Sequence, residues 1–145
     1  MEIFIDDPNG KQKITLSGKL FTIDQSEIDF DMCNIGATIV ECGTYEAKLR
    51  LEVSRKEATV DKLYADMDAS TRHNASMNGE KKTEAQIKNS IVGSEAYMGT
   101  LMSLHESTKN ANIMRWVMTA LIKKSECLLS MAYRDRQLMK VNREY

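Results

Sequence analysis

Apolar residues recur every three or four positions over two long stretches of the chain, which is the spacing of one face of an α-helix. In the first stretch the spacing approaches a heptad repeat from Ile39 onward, with Glu46 and Lys56 as interruptions. The apolar members of this stretch are Ile28, Met32, Ile35, Ile39, Cys42, Leu49, Val53, Val60, Leu63 and Met67. This pattern predicts one long amphipathic helix.

The start and length of this helix follow from its flanking residues. Asp24 precedes Glu27 by three positions, which resembles a capping box in which a carboxylate accepts free backbone N–H groups. We therefore predict a helix over 24–69. A straight helix of that extent is about 70 Å long at 1.5 Å per residue. Because this is too long for a compact globule of 145 residues, it implies a hairpin of helices or an assembly.

A polar segment and a short helix follow the first stretch. Residues 70–82 have no apolar period, and we interpret them as a loop. Thr83 and Gln86 then form a second capping-box pattern, with a threonine hydroxyl and a glutamine amide three residues apart. This spacing predicts a short helix over 83–92.

The second apolar stretch predicts the last helix, over 94–142. Gly93 interrupts the preceding helix, and the hydroxyl of Ser94 is a suitable cap for the next one. The polar run 105–112 is typical of a bend or a solvated turn within this helix. Its apolar stripe contains Met98, Leu101, Met102, Ile113, Trp116, Val117, Ala120, Leu121, Leu128, Met131 and Leu138.

The first 23 residues show the alternation of β-strands rather than helical spacing. Glu2–Ile5 and Lys11–Leu16 are alternating or β-branched runs, joined by the sequence Asp-Pro-Asn-Gly at 7–10. Proline at the second turn position and glycine at the fourth are typical of a type I turn. We predict a β-hairpin here, with an additional extended piece at 19–23.

These elements give one fold class and two segments. We predict a mainly α protein, a long helical hairpin or bundle with a small N-terminal β-hairpin, and an oligomer. The hairpin and strand segment covers 1–23, and the helical domain covers 24–145. Composition agrees, because one proline and 6% aromatic residues are too few for an all-β chain of this length. Two long amphipathic helices cannot form a large core alone, which favours self-association.

The sequence favours a cytoplasmic protein without a membrane partner. No apolar leader follows Met1, and no run approaches the ~18 apolar residues of a membrane-spanning helix. The three cysteines are odd in number and widely spaced, which suits free thiols in a reducing compartment. We interpret Cys33, Cys42 and Cys127 as small core residues on the apolar stripes.

No residue set predicts catalysis, a metal or a cofactor. The two histidines, His73 and His105, lie far from one another, and neither has a cysteine or aspartate at metal-ligand spacing. No Cys-x-x-Cys or His-Glu-x-x-His motif occurs. We therefore expect a protein that is not an enzyme and has no catalytic residues.

Charge is unevenly distributed although the formal net charge is only −1. Residues 1–47 carry three basic and nine acidic residues, 48–108 carry nine of each, and 109–145 carry eight basic and three acidic ones. The net charges of these segments are thus −6, 0 and +5. The basic end indicates either a nucleic-acid or head-to-tail assembly surface, or the ordinary preference of helix C-termini for Lys and Arg.

A second basic set in the middle of the chain has the chemistry that single-stranded nucleic acid needs. Cations bind phosphates, and tyrosine rings offer faces for base stacking. Acidic residues are interleaved among them, as on a solvated helix face. The candidate binding residues are Lys48, Arg50, Arg55, Lys56, Lys62, Tyr64 and Arg72.

The order of these parts resembles the phage UvsY-like recombination mediators. The resemblance lies in the helix opening Ile-Asp-Gln-Ser-Glu-Ile at 23–28, the long charged helix, the polar loop and two further helices. Thr-Glu-Ala-Gln-Ile-Lys at 83–88, and Ile-Met-Arg-Trp-Val-Met at 113–118 ahead of Leu121, are similar to the third and fourth segments of that family. By architecture the resemblance covers 21–138.

The resemblance implies a function without catalysis. Proteins of this kind form ring-like homo-oligomers, bind single-stranded DNA, and help a RecA-like recombinase displace the single-strand-binding protein. Several weakly basic subunits on one ring would bind DNA through avidity. The basic residues of the candidate set would then contact phosphates, Tyr64 would stack on a base, and the oligomer would pack through Trp116, Leu121, Leu128 and Met131. The location would be the cytoplasm of the host cell.

A different class of protein fits the same pattern. A helical structural or assembly adaptor of a phage or prophage, binding protein partners only, would share this fold and differ in its partner. The two functions are distinguished by whether the chain binds single-stranded DNA in a salt-dependent manner.

Overall fold

Two long helices make up most of the protein. The computed structural model describes residues 2–6 and 13–141. Helix α1 spans Ile28–Met77, α2 spans Glu84–Val92, and α3 spans Glu95–Val141. α1 and α3 pack against each other as a helical hairpin, joined by side-chain contacts that link distant parts of the sequence. The prediction of a mainly α chain with a long helical hairpin is confirmed.

Two short strands precede the helices. β1 (Glu2–Asp6) pairs with β2 (Lys13–Ser17) in antiparallel register, with Glu2 opposite Ser17 and Asp6 opposite Lys13. The turn predicted at 7–10 lies outside the described residues, so the hairpin as a whole stays a prediction.

The strand predicted at 19–23 is wrong, because Gly18–Phe21 forms a 3₁₀ turn. Local hydrogen bonds explain the difference. The Ser17 hydroxyl accepts the Lys19 N–H at 3.3 Å, and the Thr22 hydroxyl donates to the Lys19 carbonyl at 3.2 Å. Side chains of this type compete with ladder hydrogen bonds and favour turns.

Helix α1 begins later and ends later than predicted. The Asp24 carboxylate accepts the N–H and the hydroxyl of Ser26, at 2.9 and 2.6 Å, and these bonds lower the pKa of Asp24. They cap a 3₁₀ turn at Gln25–Glu27, and the α-helix itself begins at Ile28. It ends at Met77, shortly before Gly79, whose φ of +67° is in the left-handed region that favours glycine.

The prediction of a loop over 70–82 is therefore wrong for residues 70–77, which belong to α1. A tertiary contact explains the extra helical turns, because the Ala75 side chain is buried although its neighbours are polar. A periodicity search misses such a segment, since only one of its side chains reaches the core.

The predicted caps of α2 and α3 are confirmed. The Gln86 N–H donates to the Thr83 hydroxyl, and the Thr83 N–H donates to the Gln86 side-chain oxygen at 2.8 Å, which completes the capping box. The Ser94 hydroxyl accepts the N–H of Tyr97 at 3.3 Å. Both caps depend on hydrogen bonds three residues apart, so they could be predicted from local sequence.

The bend predicted at 105–112 is absent, and α3 continues through this segment. Ser107 and Asn110 are buried there, as is Ala111. The polar run thus lies partly against the rest of the protein rather than in solvent, and its hydroxyl and amide groups are compatible with a continuous helix.

The chain divides into two compact units. The first contains the described parts of Met1–Lys48 and Asn112–Tyr145, and the second contains Leu49–Ala111. Buried apolar side chains of the first unit are Ile5, Leu16, Cys42, Met114, Val117, Leu121 and Leu128. Those of the second are Leu49, Val60, Ala75, Ile87, Ile91 and Ala111.

Among the described helices, none has an apolar stretch long enough to cross a membrane.

Candidate nucleic-acid interface

The seven candidate binding residues all lie on α1, but they point to different sides of it. Successive residues of an α-helix are about 100° apart, so residues seven positions apart share one side. Lys48, Arg55 and Lys62 have this spacing, and all three are exposed. The other four lie on other sides, and the contacts of three of them, Lys56, Tyr64 and Arg72, are described below.

Lys56 faces α3 and is only half-exposed. Its ammonium group lies 2.9 Å from the carboxylate of Glu52, donates to the Ser107 hydroxyl at 2.6 Å, and reaches the Ser103 carbonyl at 3.4 Å. The Ser107 hydroxyl in turn donates to Glu52 at 2.8 Å. The positive charge of Lys56 is therefore matched within the chain.

The pKa of Glu52 reflects the same contacts. Burial raises this pKa, but the hydrogen bonds from Lys56 and Ser107 and the charge of Lys56 lower it by more, so the net shift is downward. Glu52 stays ionised and holds Lys56 against α3.

Arg72 connects the end of α1 to the start of α2. Its guanidinium group donates to both carboxylate oxygens of Asp68, at 2.8 and 3.2 Å, and to both of Glu84. These hydrogen bonds, together with the charge of Arg72, lower the pKa of Glu84, and the pKa of Arg72 is raised in return. Two carboxylates thus surround a guanidinium predicted to contact phosphate.

Tyr64 packs against another aromatic ring. Its centroid lies 5.9 Å from that of Tyr97, with an edge-to-face angle of 67°, and the residue is half-buried. A ring in this position contributes to the packing of α1 on α3. The other tyrosine near the basic set, Tyr45, lies under the ammonium group of Lys48, 5.4 Å from the ring centroid.

Arg55 and Lys62 are exposed cations of the candidate set in the second unit, as is Arg50, which has an interaction within the chain. Neither Arg55 nor Lys62 has an acidic partner within ion-pair distance among the described residues. They lie about 10.5 Å apart along the helix axis, at 1.5 Å per residue. Between them lie the small exposed residues Ala58 and Thr59. On this side of α1 the two positive charges are therefore separated by small side chains.

The four predicted oligomer residues do not form one surface. Trp116 is exposed and Met131 is half-buried. Leu121 and Leu128 are fully buried within the first unit, so the structure corrects their placement: they pack inside their own chain. Sequence spacing identifies an apolar stripe, but it does not tell whether the partner of that stripe is the same chain or another copy.

The cysteine prediction holds for one residue of the three. Cys42 is buried, and burial raises the pKa of its thiol, with a further increase from the charge of Glu41. It is a protonated core thiol. Cys33 and Cys127 are exposed, so their interpretation as core residues is wrong.

Sequence reasoning missed a buried ion pair of the first unit. The ammonium group of Lys124 lies 2.8 Å from the Asp31 carboxylate, and both side chains are largely covered. A signal was present, since Lys124 lies three residues after Leu121 and four before Leu128, on the apolar face of α3. A charged residue at such a position indicates a partner on the facing helix.

Within the parts of the chain that the structure describes, no group of three or more His, Cys, Asp or Glu side chains could hold a metal ion. No protein-family model matches the sequence, and neither the curated proteins nor the solved structures include a match.

Proposed function

We propose that this protein is a single-stranded DNA-binding recombination mediator that acts as a homo-oligomer and helps to load a RecA-like recombinase. The observation that carries the proposal is the pair of exposed cations Arg55 and Lys62, which share one side of α1 and have no acidic partner among the described residues. Unpaired cations on an exposed helix side are what a phosphate backbone requires.

Several of the seven candidate residues have partners within the chain. Lys56 and Arg72 are neutralised by carboxylates, and Tyr64 is engaged by Tyr97. We choose Arg55 and Lys62 as the proposed phosphate contacts because both are exposed and lie on one side of α1. Lys48, one heptad earlier on α1, is a further exposed cation. Few contacts per chain mean weak binding by a monomer, so the proposal requires several chains on one DNA strand.

We expect the chain to bind a fluorescently labelled oligo-dT, and the double variant Arg55→Glu/Lys62→Glu to bind it less tightly with a weaker salt dependence. Losing two phosphate contacts should lower the slope of log K against log salt by about 1.4, at about 0.7 per contact for single strands. Fluorescence anisotropy over a salt series measures both quantities.

The matched control is Lys81→Glu/Lys88→Glu. It makes the same change in net charge in the same unit, at two exposed lysines that are not on this side of α1. We expect the control to keep the slope of the unmodified protein. Absence of binding at low salt, or an equal loss in both double variants, would contradict the proposed site.

The mediator role itself is tested with a RecA-like recombinase and a single-strand-binding protein. On DNA coated with the single-strand-binding protein, addition of the chain should shorten the lag before the recombinase hydrolyses ATP, and Arg55→Glu/Lys62→Glu should restore the lag. A coupled ATPase assay measures the length of this lag directly. A protein that binds DNA but leaves the lag unchanged would be a DNA-binding protein of another kind.

The second candidate function is a helical adaptor that binds proteins only. Large apolar side chains exposed on α1 and α3, among them Phe30, Val40, Leu129 and Tyr133, favour it. This candidate predicts no DNA binding at low salt together with self-association, so the anisotropy series above separates the two.

A further inference from the structure

Helix α1 carries a second line of uncharged side chains that does not face the core. The residues are spaced alternately by three and four positions and all are exposed; we call them the outer seam, namely Phe30, Cys33, Ala37, Val40, Thr44 and Ala47. Phe30 is 68% exposed and Val40 is 70% exposed. This spacing is that of the a and d positions of a coiled coil. It differs from the apolar repeat that contains Ile35, Ile39 and Cys42.

The outer seam contrasts with an ordinary solvated helix face. Such a face is rich in Lys, Glu and Asp, yet the six consecutive a and d positions of the seam contain no charged residue. Charged residues occur beside it, including Asp29, Glu41 and Lys48, which are all exposed. An uncharged seam with charged flanks is the arrangement of a helix that pairs with another helix.

We propose that a second copy of this chain docks on the outer seam, with the two α1 helices antiparallel and the two-fold axis between Ala37 and Val40. The inference deepens the homo-oligomer part of the proposed function and places that contact on α1 rather than on α3.

Side-chain sizes support this register. With the axis between Ala37 and Val40, Phe30 lies opposite Ala47 of the second copy, and Val40 lies opposite its Ala37. Cys33 and Thr44, which are similar in size, face each other in the remaining layer. Each large side chain thus meets a small one, which is how facing layers interdigitate without voids.

Charge supports the antiparallel direction. Glu27, just before α1, and Asp29, in its first turn, are exposed, and Lys48 is exposed just after Ala47 at the other end of the outer seam. In the antiparallel pair Lys48 of one copy lies near Glu27 and Asp29 of the other. A parallel pair would bring the acidic ends together, and like charges at a helix interface are unfavourable.

The strength of the contact follows from its size. Six side chains per copy cover less than the ~800 Å² per partner of a standard stable interface. We therefore expect dissociation in roughly the micromolar range. Sedimentation velocity from about 1 to about 500 µM covers that range.

Disulfide cross-linking tests the register without DNA. In a Cys127→Ser background Cys33 is the exposed native thiol, because Cys42 is buried. The variant Thr44→Cys then places a second thiol opposite Cys33 of the other copy. Under mild oxidation we expect a covalent dimer at twice the chain mass of 16.5 kDa. Cys33 alone should not form it, because the two Cys33 residues lie in different layers of the antiparallel pair. A dimer through Cys33 alone would overturn the antiparallel arrangement.

Surface variants test the location. Val40→Glu should weaken dimerisation by more than about tenfold, because it places a charge in the central layer. The matched control Leu129→Glu adds the same charge at an exposed apolar position on α3, and should leave the dimer unchanged. A monomer at every concentration, or loss of the dimer in Leu129→Glu only, would overturn the proposal. Because no DNA is present, neither result bears on whether Arg55 and Lys62 bind phosphate.

Discussion

Replacing Leu128 with alanine is expected to lower the free energy of unfolding by about 3 kcal/mol, within the range measured for fully buried leucines. Leu128 is 1% exposed and lies in the core of the first unit. The truncation removes buried apolar surface and leaves a cavity that the surrounding helices fill only in part. Urea denaturation followed by circular dichroism, at low micromolar protein, measures the loss.

The neighbouring residue provides the control. Leu129 follows Leu128 on the same helix but is 60% exposed, so Leu129→Ala should change the free energy of unfolding by less than about 0.5 kcal/mol. Both substitutions alter helix propensity equally, and only burial differs. If Leu128→Ala weakened self-association and left unfolding unchanged, Leu128 would belong to an oligomer interface, as the sequence pattern first indicated.

The ion pair of Asp31 and Lys124 is expected to respond asymmetrically to removal of either partner. Asp31→Asn leaves an ammonium group whose side chain is only 6% exposed, and should cost about 3 kcal/mol. Lys124→Met leaves a carboxylate that is 21% exposed and reaches water, and should cost about 1 kcal/mol. Urea denaturation of both variants at pH 7 measures the difference.

The double variant Asp31→Leu/Lys124→Met completes the test. Replacing both charges with apolar side chains removes the attraction and the desolvation penalty together. It should therefore be closer in stability to the unmodified protein than Asp31→Asn is. The exposed ion pair of Lys123 and Glu126 on the same helix is the control. Removing either of its partners should lower the free energy of unfolding by at most about 1 kcal/mol, as for other surface pairs. Equal losses in both single variants would contradict the asymmetric burial of the pair.

Most of the helical architecture could be predicted because its signals are local. The caps formed by Thr83 and Ser94 depend on hydrogen bonds three residues apart. The long helices depend on a periodicity that is visible in the sequence itself. The errors occurred where a single side chain decides the outcome. Burial of Ala75 accompanies the extension of α1 to Met77, and burial of Ser107 keeps a polar run helical.

The candidate site was predictable in composition but not in geometry. Its basic residues all lie on α1 as expected, yet Lys56 and Arg72 are paired with Glu52, Ser107 and Glu84. The sequence signalled the contacts of Lys56, since Glu52 lies four residues before it on the same helix and Lys56 interrupts the apolar repeat, which places it near the facing helix. The pairing of Arg72 with Glu84 gave no such signal, because it depends on where α2 begins relative to α1.

The sequence by itself determined the helical class, the short helix between two long ones and its capping residues, because these depend on hydrogen bonds and spacings within a few residues. Only the tertiary structure decided which charges reach solvent. Lys56 meets Ser107, Arg72 meets Glu84, and Lys124 meets Asp31 across 12 to 93 positions of chain. Lys56 and Arg72 also have carboxylates four residues away on α1, those of Glu52 and Asp68, but their contacts with Ser107 and Glu84 exist only in the folded chain. Arg55 and Lys62 can therefore be identified as cations without a carboxylate partner only from the tertiary structure, and only among the residues that it describes.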